Sequence, residues 1–365
     1  MEYALLILSW TVVVIQSNLP LYILEAKFLI RIQRFTLPVF TLTVLSYLLL
    51  YGLDFPIVLP IVFYIILKIF FSYGVSRGNF SADLDIERYK EDPECVAVFL
   101  PTGVDAVPIL YLRSADMILE RDGLQYSLSY CLLCNTVHAY ELPTIGGVPL
   151  EISSHGGSVI NGNKVLHDNS GRYIWQQFTG EPISVAANGI TLKEIESKRV
   201  LVYHLKSTYP DARFYSGRRL GPNYFIYSAI GKWVRNISNL RISKDRIDDR
   251  LPAKLPVAGV TILGGGTKAY PMTLFPPNKV TLIQDSVSGV NLTIVSDGTS
   301  VYAFSRTGLS YSKGLLHSAE ESWNIDGSVV NAEESLPQLM LTSSAYWYMW
   351  VKFNPDTEVY YSSSL

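Results

Sequence analysis

Two stretches of this 365-residue chain repeat one another, and that repetition limits the folds open to it more than any local motif does. In the first, Trp175 is followed by Thr179-Gly180-Glu181, by a run ending Tyr203-His204-Leu205, and by Tyr209-Pro210-Asp211-Ala212-Arg213-Phe214-Tyr215. In the second, Trp323 is followed by Asp326-Gly327-Ser328, by Tyr346-Trp347-Tyr348, and by Asn354-Pro355-Asp356-Thr357-Glu358-Val359-Tyr360. Upstream, Val137-His138-Ala139-Tyr140 aligns with Val301-Tyr302-Ala303-Phe304 at compatible spacing. Each Pro-Asp suits the start of a turn that hands the chain to a closing strand, and each tryptophan supplies a large buried anchor. The expectation is two related units forming one body: a β-rich repeat over 95–216, a connector over 217–256 and a second repeat over 257–365.

Short apolar and aromatic runs, Val96–Leu100, Ile109–Leu112, Leu124–Tyr130 and Val137–Leu142, lie between Gly, Pro and Asp residues and predict strands. Leu192–Thr208 and Tyr224–Arg235 are the best candidates for short helices. The expected class is a mainly β, β-rich α+β domain with internal duplication, preceded by N-terminal transmembrane helices.

The hydrophobic share of 48% exceeds what a core alone usually requires, and the excess concentrates in residues 1–75. Tyr3–Leu24 is nearly all apolar apart from Gln16, Ser17, Asn18 and Pro20, while Thr36–Leu53 and Phe55–Val75 follow as a hairpin around Asp54, with Lys68 placed to snorkel. About three membrane spans are expected, then a linker over 76–94, so that the protein is integral to a membrane with lipid and other membrane proteins as candidate partners. Lys27, Arg31 and Arg34 in the first connection favour a cytoplasmic globular region, whereas N-x-Ser/Thr sequons at Asn79, Asn236 and Asn291 favour an exported one. A net charge of −2 with no basic block or stripe argues against nucleic acid.

Chemistry concentrates at Tyr130-Cys131-Leu132-Leu133-Cys134-Asn135, between two predicted strands. Cysteines at i and i+3 can form a local disulfide or sit as inert thiols, act as a redox couple, or supply two ligands to a metal. For a metal, Cys131 and Cys134 need further donors, with His138, His155 or His167 as candidates; Asn135 excludes a C-x-x-C-H haem attachment. The corresponding second-half stretch, Val295-Ser296-Asp297-Gly298, has no thiol, which favours a functional over a scaffolding role. A polar cluster follows: Asn161, Asn163, Asp168, Arg172, Gln176, Gln177 and Glu181. No G-x-S-x-G, H-E-x-x-H or P-loop is present, and Gly264-Gly265-Gly266 suits a hairpin turn.

At these residues the chain resembles a bacterial and archaeal family known as domain of unknown function 3179. The resemblance is carried by Tyr130-Cys131-Leu132-Leu133-Cys134, Asn161-Gly162-Asn163 with Asp168, and Trp175-Gln176-Gln177-Phe178-Thr179-Gly180-Glu181. Further matches are Arg250-Leu251-Pro252-Ala253-Lys254, Lys268-Ala269-Tyr270-Pro271, and Ala345-Tyr346-Trp347 leading to Pro355-Asp356-Thr357. Asn135 and His167 depart from residues usual in the family. The resemblance implies architecture and marks residues, and it names no chemistry.

The functional expectation is a membrane-tethered binding or accessory module with a site between the Cys131/Cys134 turn and the Asn161–Glu181 segment, where Asn161, Asn163, Asp168, Trp175, Gln177 and Glu181 are binding candidates. The alternative is a thiol–disulfide or metal-dependent redox enzyme using the same pair, with a metal ion at Cys131, Cys134, His138 and His167 as the possible cofactor. The second expectation requires a thiol of depressed pKa or a bound metal, and the first requires neither.

Overall fold

The computed structural model describes residues 2–16, 35–52, 55–71, 74–76, 80–81, 94–113, 115–153, 159–160, 162–202, 205, 209–215, 248–277, 279–298 and 300–361. Three helices open the chain: α1 (Glu2–Gln16), α2 (Thr36–Tyr51) and α3 (Phe55–Phe71), with 15, 16 and 17 residues. Among the described residues, no helix is long and apolar enough to cross a membrane. At 1.5 Å per residue these helices rise about 22 to 26 Å, short of the roughly 30 Å of hydrocarbon a span must bridge. The expected transmembrane helices, and the integral membrane protein they implied, are therefore overturned. The run expected over Thr36–Leu53 stops at Tyr51 because Gly52 turns the chain out of the helix at φ 81°. The run expected over Phe55–Val75 stops at Phe71, and Gly74–Ser76 is instead a strand paired parallel with Ala115–Met117. Lys27, Arg31, Arg34, Asp54, Asn79 and Asn236 lie outside the described residues, as do most of the linker, most of the connector and the whole of Tyr224–Arg235.

The first half contains β1 (Glu94–Leu100), β2 (Gly103–Pro108), β3 (Ala115–Arg121), β4 (Leu124–Cys131), β5 (Thr136–Glu141), β6 (Asn163–Asp168), β7 (Ile174–Gln176), β8 (Glu194–Ile195), β9 (Ser197–Leu201) and β10 (Arg213–Tyr215). One sheet runs β9-β1-β2-β10, with β10 parallel to β2. The strands β3-β4-β5 form an antiparallel meander, and β6 pairs with β7. Two local expectations are corrected. Ile109–Leu112 is a helical turn, α4, buried on all four side chains, so a short apolar run was read with the wrong period. Within Leu192–Thr208, residues 194–195 and 197–201 are strands, because β9 completes a sheet by pairing with β1.

The second half contains β11 (Pro256–Thr261), β12 (Thr267–Pro271), β13 (Thr281–Val287), β14 (Val290–Ser296), β15 (Val301–Phe304), β16 (Leu315–Ser318), β17 (Glu321–Trp323), β18 (Met340–Tyr346), helix α5 (Trp347–Phe353) and β19 (Glu358–Val359). Its strand order is the same: β18-β11-β12-β19 with β19 parallel to β12, then the meander β13-β14-β15, then β16 paired with β17. The hairpins β3–β4 and β13–β14 turn through Asp122-Gly123 and Ser288-Gly289, each with both residues at positive φ, the type I′ geometry that matches strand twist. The two anchor tryptophans occupy equivalent places: Trp175 Nε1 donates to Ile190 O at 2.7 Å and Trp323 Nε1 to Glu334 O at 2.8 Å. The parallel closing strands carry ion pairs of opposite polarity, Arg213 with Asp105 at 2.9 Å and Glu358 with Lys268 at 3.4 Å.

The halves meet through a shared apolar cluster in which Cys131, Cys134 and Phe178 pack with Val257, Ala269, Ala345, Trp347, Met349 and Trp350. Lys198 also bridges them, its ammonium 5.1 Å from the Phe99 ring and 4.9 Å from the Tyr302 ring. Gly259 is what lets Trp350 lie flat on β11, since a methyl group there would stand inside the indole ring. Gly259→Ala is therefore expected to lower stability by about 1–3 kcal/mol, as overpacking of a closed core does, which urea unfolding monitored by tryptophan fluorescence would measure.

Candidate functional site

Strand alternation divides the β4–β5 hairpin into two chemically distinct faces. Tyr126, Leu128 and Tyr130, with Val137 and Ala139, enter the apolar core with Val96, Val107 and Met117. Ser127, Ser129 and Cys131 face the other way beside their cross-strand partners Tyr140, His138 and Thr136. Gln177 covers this second face: its Nε2 donates to Ser129 Oγ at 3.2 Å, its Oε1 accepts from Thr136 Oγ1 at 3.3 Å, and its carbonyl accepts from Tyr140 OH at 2.8 Å. In the second half the corresponding residues Val295, Tyr302 and Phe304 form an apolar cluster with Leu316 and Trp323. Val295 and Tyr302 thus replace Ser129 and His138 on this face, while Ser127 keeps a polar counterpart in the buried Thr293.

Both thiols of the turn are free and buried. Asn163, the first residue of β6, ties Cys134 to Gln177: its Nδ2 donates to Cys134 Sγ at 3.1 Å and to Gln177 Oε1 at 2.9 Å. Its Oδ1 accepts from the Phe178 amide at 3.0 Å and from Gln176 Nε2 at 2.5 Å. The Cys134 thiol has two acceptors for its single proton, Gly162 O at 3.4 Å and the Cys131 sulfur. Burial opposes ionisation of Cys131, but the Cys134 thiol, the backbone N–H groups of Lys164 and Cys134 and the Lys164 ammonium together bring its pKa down to about 7. Cys134 moves in the opposite direction, pushed well above the ordinary thiol value by burial, by its hydrogen bond to Cys131 and by the Cys131 charge. Lys164 is itself paired, its Nζ 2.7 Å from Asp116 Oδ1 with both side chains buried.

The turn is locked by Asn135, which adopts φ 60°, a left-handed conformation that Asn tolerates better than most residues. Its Oδ1 accepts from Tyr130 OH and Arg199 Nη1, each at 3.0 Å, and its Nδ2 donates to Ser344 O at 2.7 Å in the second half. The Leu133 and Cys134 carbonyls also serve the second half, accepting from Tyr348 OH at 2.6 Å and from the Tyr346 amide at 2.9 Å. The dithiol turn therefore sits at the seam between halves.

The other candidates disperse. His138 lies on the polar face, but its Nδ1 is 2.7 Å from Glu194 Oε1 and its ring packs against Tyr140 and Phe178. His167 is four residues along β6 from Asn163, about 13 Å at strand rise, and its Nδ1 meets Asp168 O at 2.9 Å. Among the described residues, no group of three or more His, Cys, Asp or Glu is placed to hold a metal ion. The four-ligand set Cys131, Cys134, His138 and His167 is therefore not brought together, and His155 lies outside the described residues. Asp168 caps its own turn, accepting from the Ser170 and Tyr173 amides at 3.0 and 2.9 Å. Burial works against its ionisation, yet the Ser170 hydroxyl and these amides hold its carboxyl below the usual range. Trp175 is a core anchor. Glu181 is exposed, and its carboxylate accepts from Thr191 Oγ1 at 3.4 Å, away from the thiols. Asn161 lies outside the described residues.

Sequence reasoning missed Asp116, Ser129, Thr136 and Lys164, and the three second-half residues that hold the turn. The alternation Ser127-x-Ser129-x-Cys131 was the available signal for the polar face; nothing local signals Ser344, Tyr346 or Tyr348.

Fold and site together define a class: a strand-rich domain of two topologically matched halves with a buried, asymmetric dithiol turn at their seam. A family model described as "Protein of unknown function (DUF3179)" matches residues 75–357, and the chain belongs to that family. No curated protein and no solved structure matches the chain.

Two expected outcomes follow from the geometry. Asn163→Ala leaves the buried Phe178 amide without its Asn163 acceptor and takes one of two partners from Gln177 Oε1 and from Gln176 Nε2, and should cost about 2–4 kcal/mol in urea unfolding. Cys131 ionises more easily when folded than its ordinary value of 9.0, so its contribution to stability is complete above about pH 9 and is lost as pH falls through about 7. Across that window Cys134 keeps its proton in the folded state and ionises in the unfolded chain only as pH approaches 9. The stability of the wild type relative to Cys131→Ser should accordingly rise between pH 7 and 9, measured by unfolding midpoints across that range.

Proposed function

We propose that the chain is a dithiol redox module in which Cys131 is the attacking thiolate and Cys134 the resolving thiol. The observation that carries this is a pair of free, buried thiols in one turn with unlike surroundings: Cys134 Sγ lies 3.4 Å from Gly162 O and 3.1 Å from Asn163 Nδ2, while the Lys164 ammonium and backbone N–H groups favour a thiolate at Cys131. A low-pKa thiol beside a protonated partner is the arrangement thiol–disulfide chemistry uses, because the thiolate attacks and the partner closes the bridge. A scaffold requires no such asymmetry, and the second half makes its corresponding turn without thiols. With the sulfurs closed off from bulk water, a small hydroperoxide suits the site better than a protein disulfide. The Cys131 thiolate attacks the distal peroxide oxygen, the O–O bond breaks, an alkoxide or hydroxide leaves and a sulfenic acid forms. Cys134 sulfur then displaces the sulfenic hydroxyl, which departs as water with the Cys134 proton, and the S–S bond forms.

A second reading, a binding or accessory module, is favoured by one observation: Cys131 and Cys134 are only 2% and 0% exposed. On that reading the polar network shapes a surface for a partner and the thiols stay inert.

Acid-quenched thiol trapping with peptide mass spectrometry separates the two. After hydrogen peroxide at neutral pH, the redox module yields a Cys131–Cys134 bridge that dithiothreitol reverses, and iodoacetamide modifies Cys131 in the reduced protein with a midpoint near pH 7. Thiols that remain free under peroxide, and that are alkylated only after denaturation, would discard the redox reading in favour of the binding module.

A further inference from the structure

We infer that the Cys131–Cys134 turn is a redox-responsive joint between the two halves, in which bridge formation loosens the second-half segment Ser344–Phe353. This rests on the dithiol reading and adds what the bridge does to the rest of the molecule. The turn presents three groups to the second half, and each is used. Leu133 O accepts from Tyr348 OH at 2.6 Å, Cys134 O accepts from the Tyr346 amide at 2.9 Å, and Asn135 Nδ2 donates to Ser344 O at 2.7 Å. All three second-half partners belong to β18 and the start of α5, and the remainder of α5 places Met349 and Trp350 in the cluster that holds both cysteines. Ser344, like Asn135, has a left-handed backbone, at φ 62°, so neither side of the contact lies in relaxed strand geometry.

In the reduced state the two thiols of the turn are buried and unbridged. A disulfide draws them to about 2.05 Å with a fixed dihedral preference, a movement shared between the cysteine side-chain torsions and the peptide units of the four-residue turn. The last of those peptide units carries Leu133 O, the acceptor of Tyr348 OH, and the next unit, rooted on Cys134 itself, carries Cys134 O, the acceptor of the Tyr346 amide. Oxidation also removes the Cys134 proton that Gly162 O accepts, so the anchor on the first-half side weakens at the same step. The balance is that of the bridge itself: the thiolate and the thiol lose two electrons together, hydrogen peroxide takes them, and water and hydroxide are the products.

The Tyr346 amide, bonded directly to Cys134 O, is the built-in reporter. Hydrogen exchange is measured on the full chain reduced, oxidised with a modest excess of hydrogen peroxide, and re-reduced with dithiothreitol, while thiol trapping on the same samples scores the bridge. Exchange at Tyr346 should be at least tenfold faster in the bridged protein and should return on re-reduction, which separates the bridge from methionine oxidation that dithiothreitol does not reverse. The double variant Cys131→Ser/Cys134→Ser should show no peroxide response. A bridge that forms with Tyr346 exchange unchanged would overturn the joint and leave the dithiol module standing. Absence of any bridge would overturn the dithiol module itself, and the joint with it.

Discussion

The Asn163 carboxamide is the constraint on which the site depends. It is fully buried, and both donors and both acceptor positions are used, on Cys134, Gln177, Gln176 and the Phe178 amide. A buried amide left half-paired costs free energy comparable to a lost hydrogen bond, so such a group tolerates few arrangements of its neighbours. Through it the thiol turn, the start of β6 and the loop after Trp175 hold one relative geometry. Gln177 extends the same logic to Ser129 and Thr136, and the polar face of the β4–β5 hairpin is thereby closed without stranding a carboxamide.

The second half shows what the architecture needs in the absence of that network. Its meander and tryptophan hairpin have the same strand order, yet Val295, Tyr302 and Phe304 stand where the first half has Ser129, His138 and Tyr140. A mostly apolar filling, with Thr293 as its buried polar member, is sufficient to support the meander. The polar filling of the first half adds demands for hydrogen-bond pairing and a buried Lys164–Asp116 pair, whose removal from water is costly. That expense coincides with the only CxxC in the chain. The site is also not confined to the half that carries it, because Ser344, Tyr346 and Tyr348 hold the turn from the other side.

Much of the β framework was legible. The runs 96–100, 124–130 and 137–142 coincide closely with strands because they combine β-branched and aromatic residues with glycine and aspartate turns, and Gly264-Gly265-Gly266 forms the turn between β11 and β12. The N-terminal reading failed for a physical reason: hydropathy registers the apolar run but not its interruption. Gly52 ends α2 after 16 residues, and Gly74–Ser76 leaves the apolar stretch to pair with β3. Ile109–Leu112 and 194–201 were misassigned because a four-residue apolar run has no decisive period and because pairing with a distant strand overrides local preference. At the candidate site, the structure brings together Cys134, Asn163 and Gln177 of the residues named from sequence, whereas Asp168, Glu181 and His167 lie in a turn, at the surface and along β6.

By itself, then, the sequence determined the β-rich class, the position of the dithiol and the polar residues near it, because these depend on residue type and on short-range alternation. Only the tertiary structure decided which of them meet. The unequal pKa values of Cys131 and Cys134 arise from burial, from their contact with one another and from Lys164, about 30 positions downstream, and the turn's anchors from Tyr346 and Tyr348, more than 200 positions away. Chain separation carries no information about such contacts. They are fixed when two sheets close over a buried polar layer, where each group must find a partner that the surrounding fold can supply.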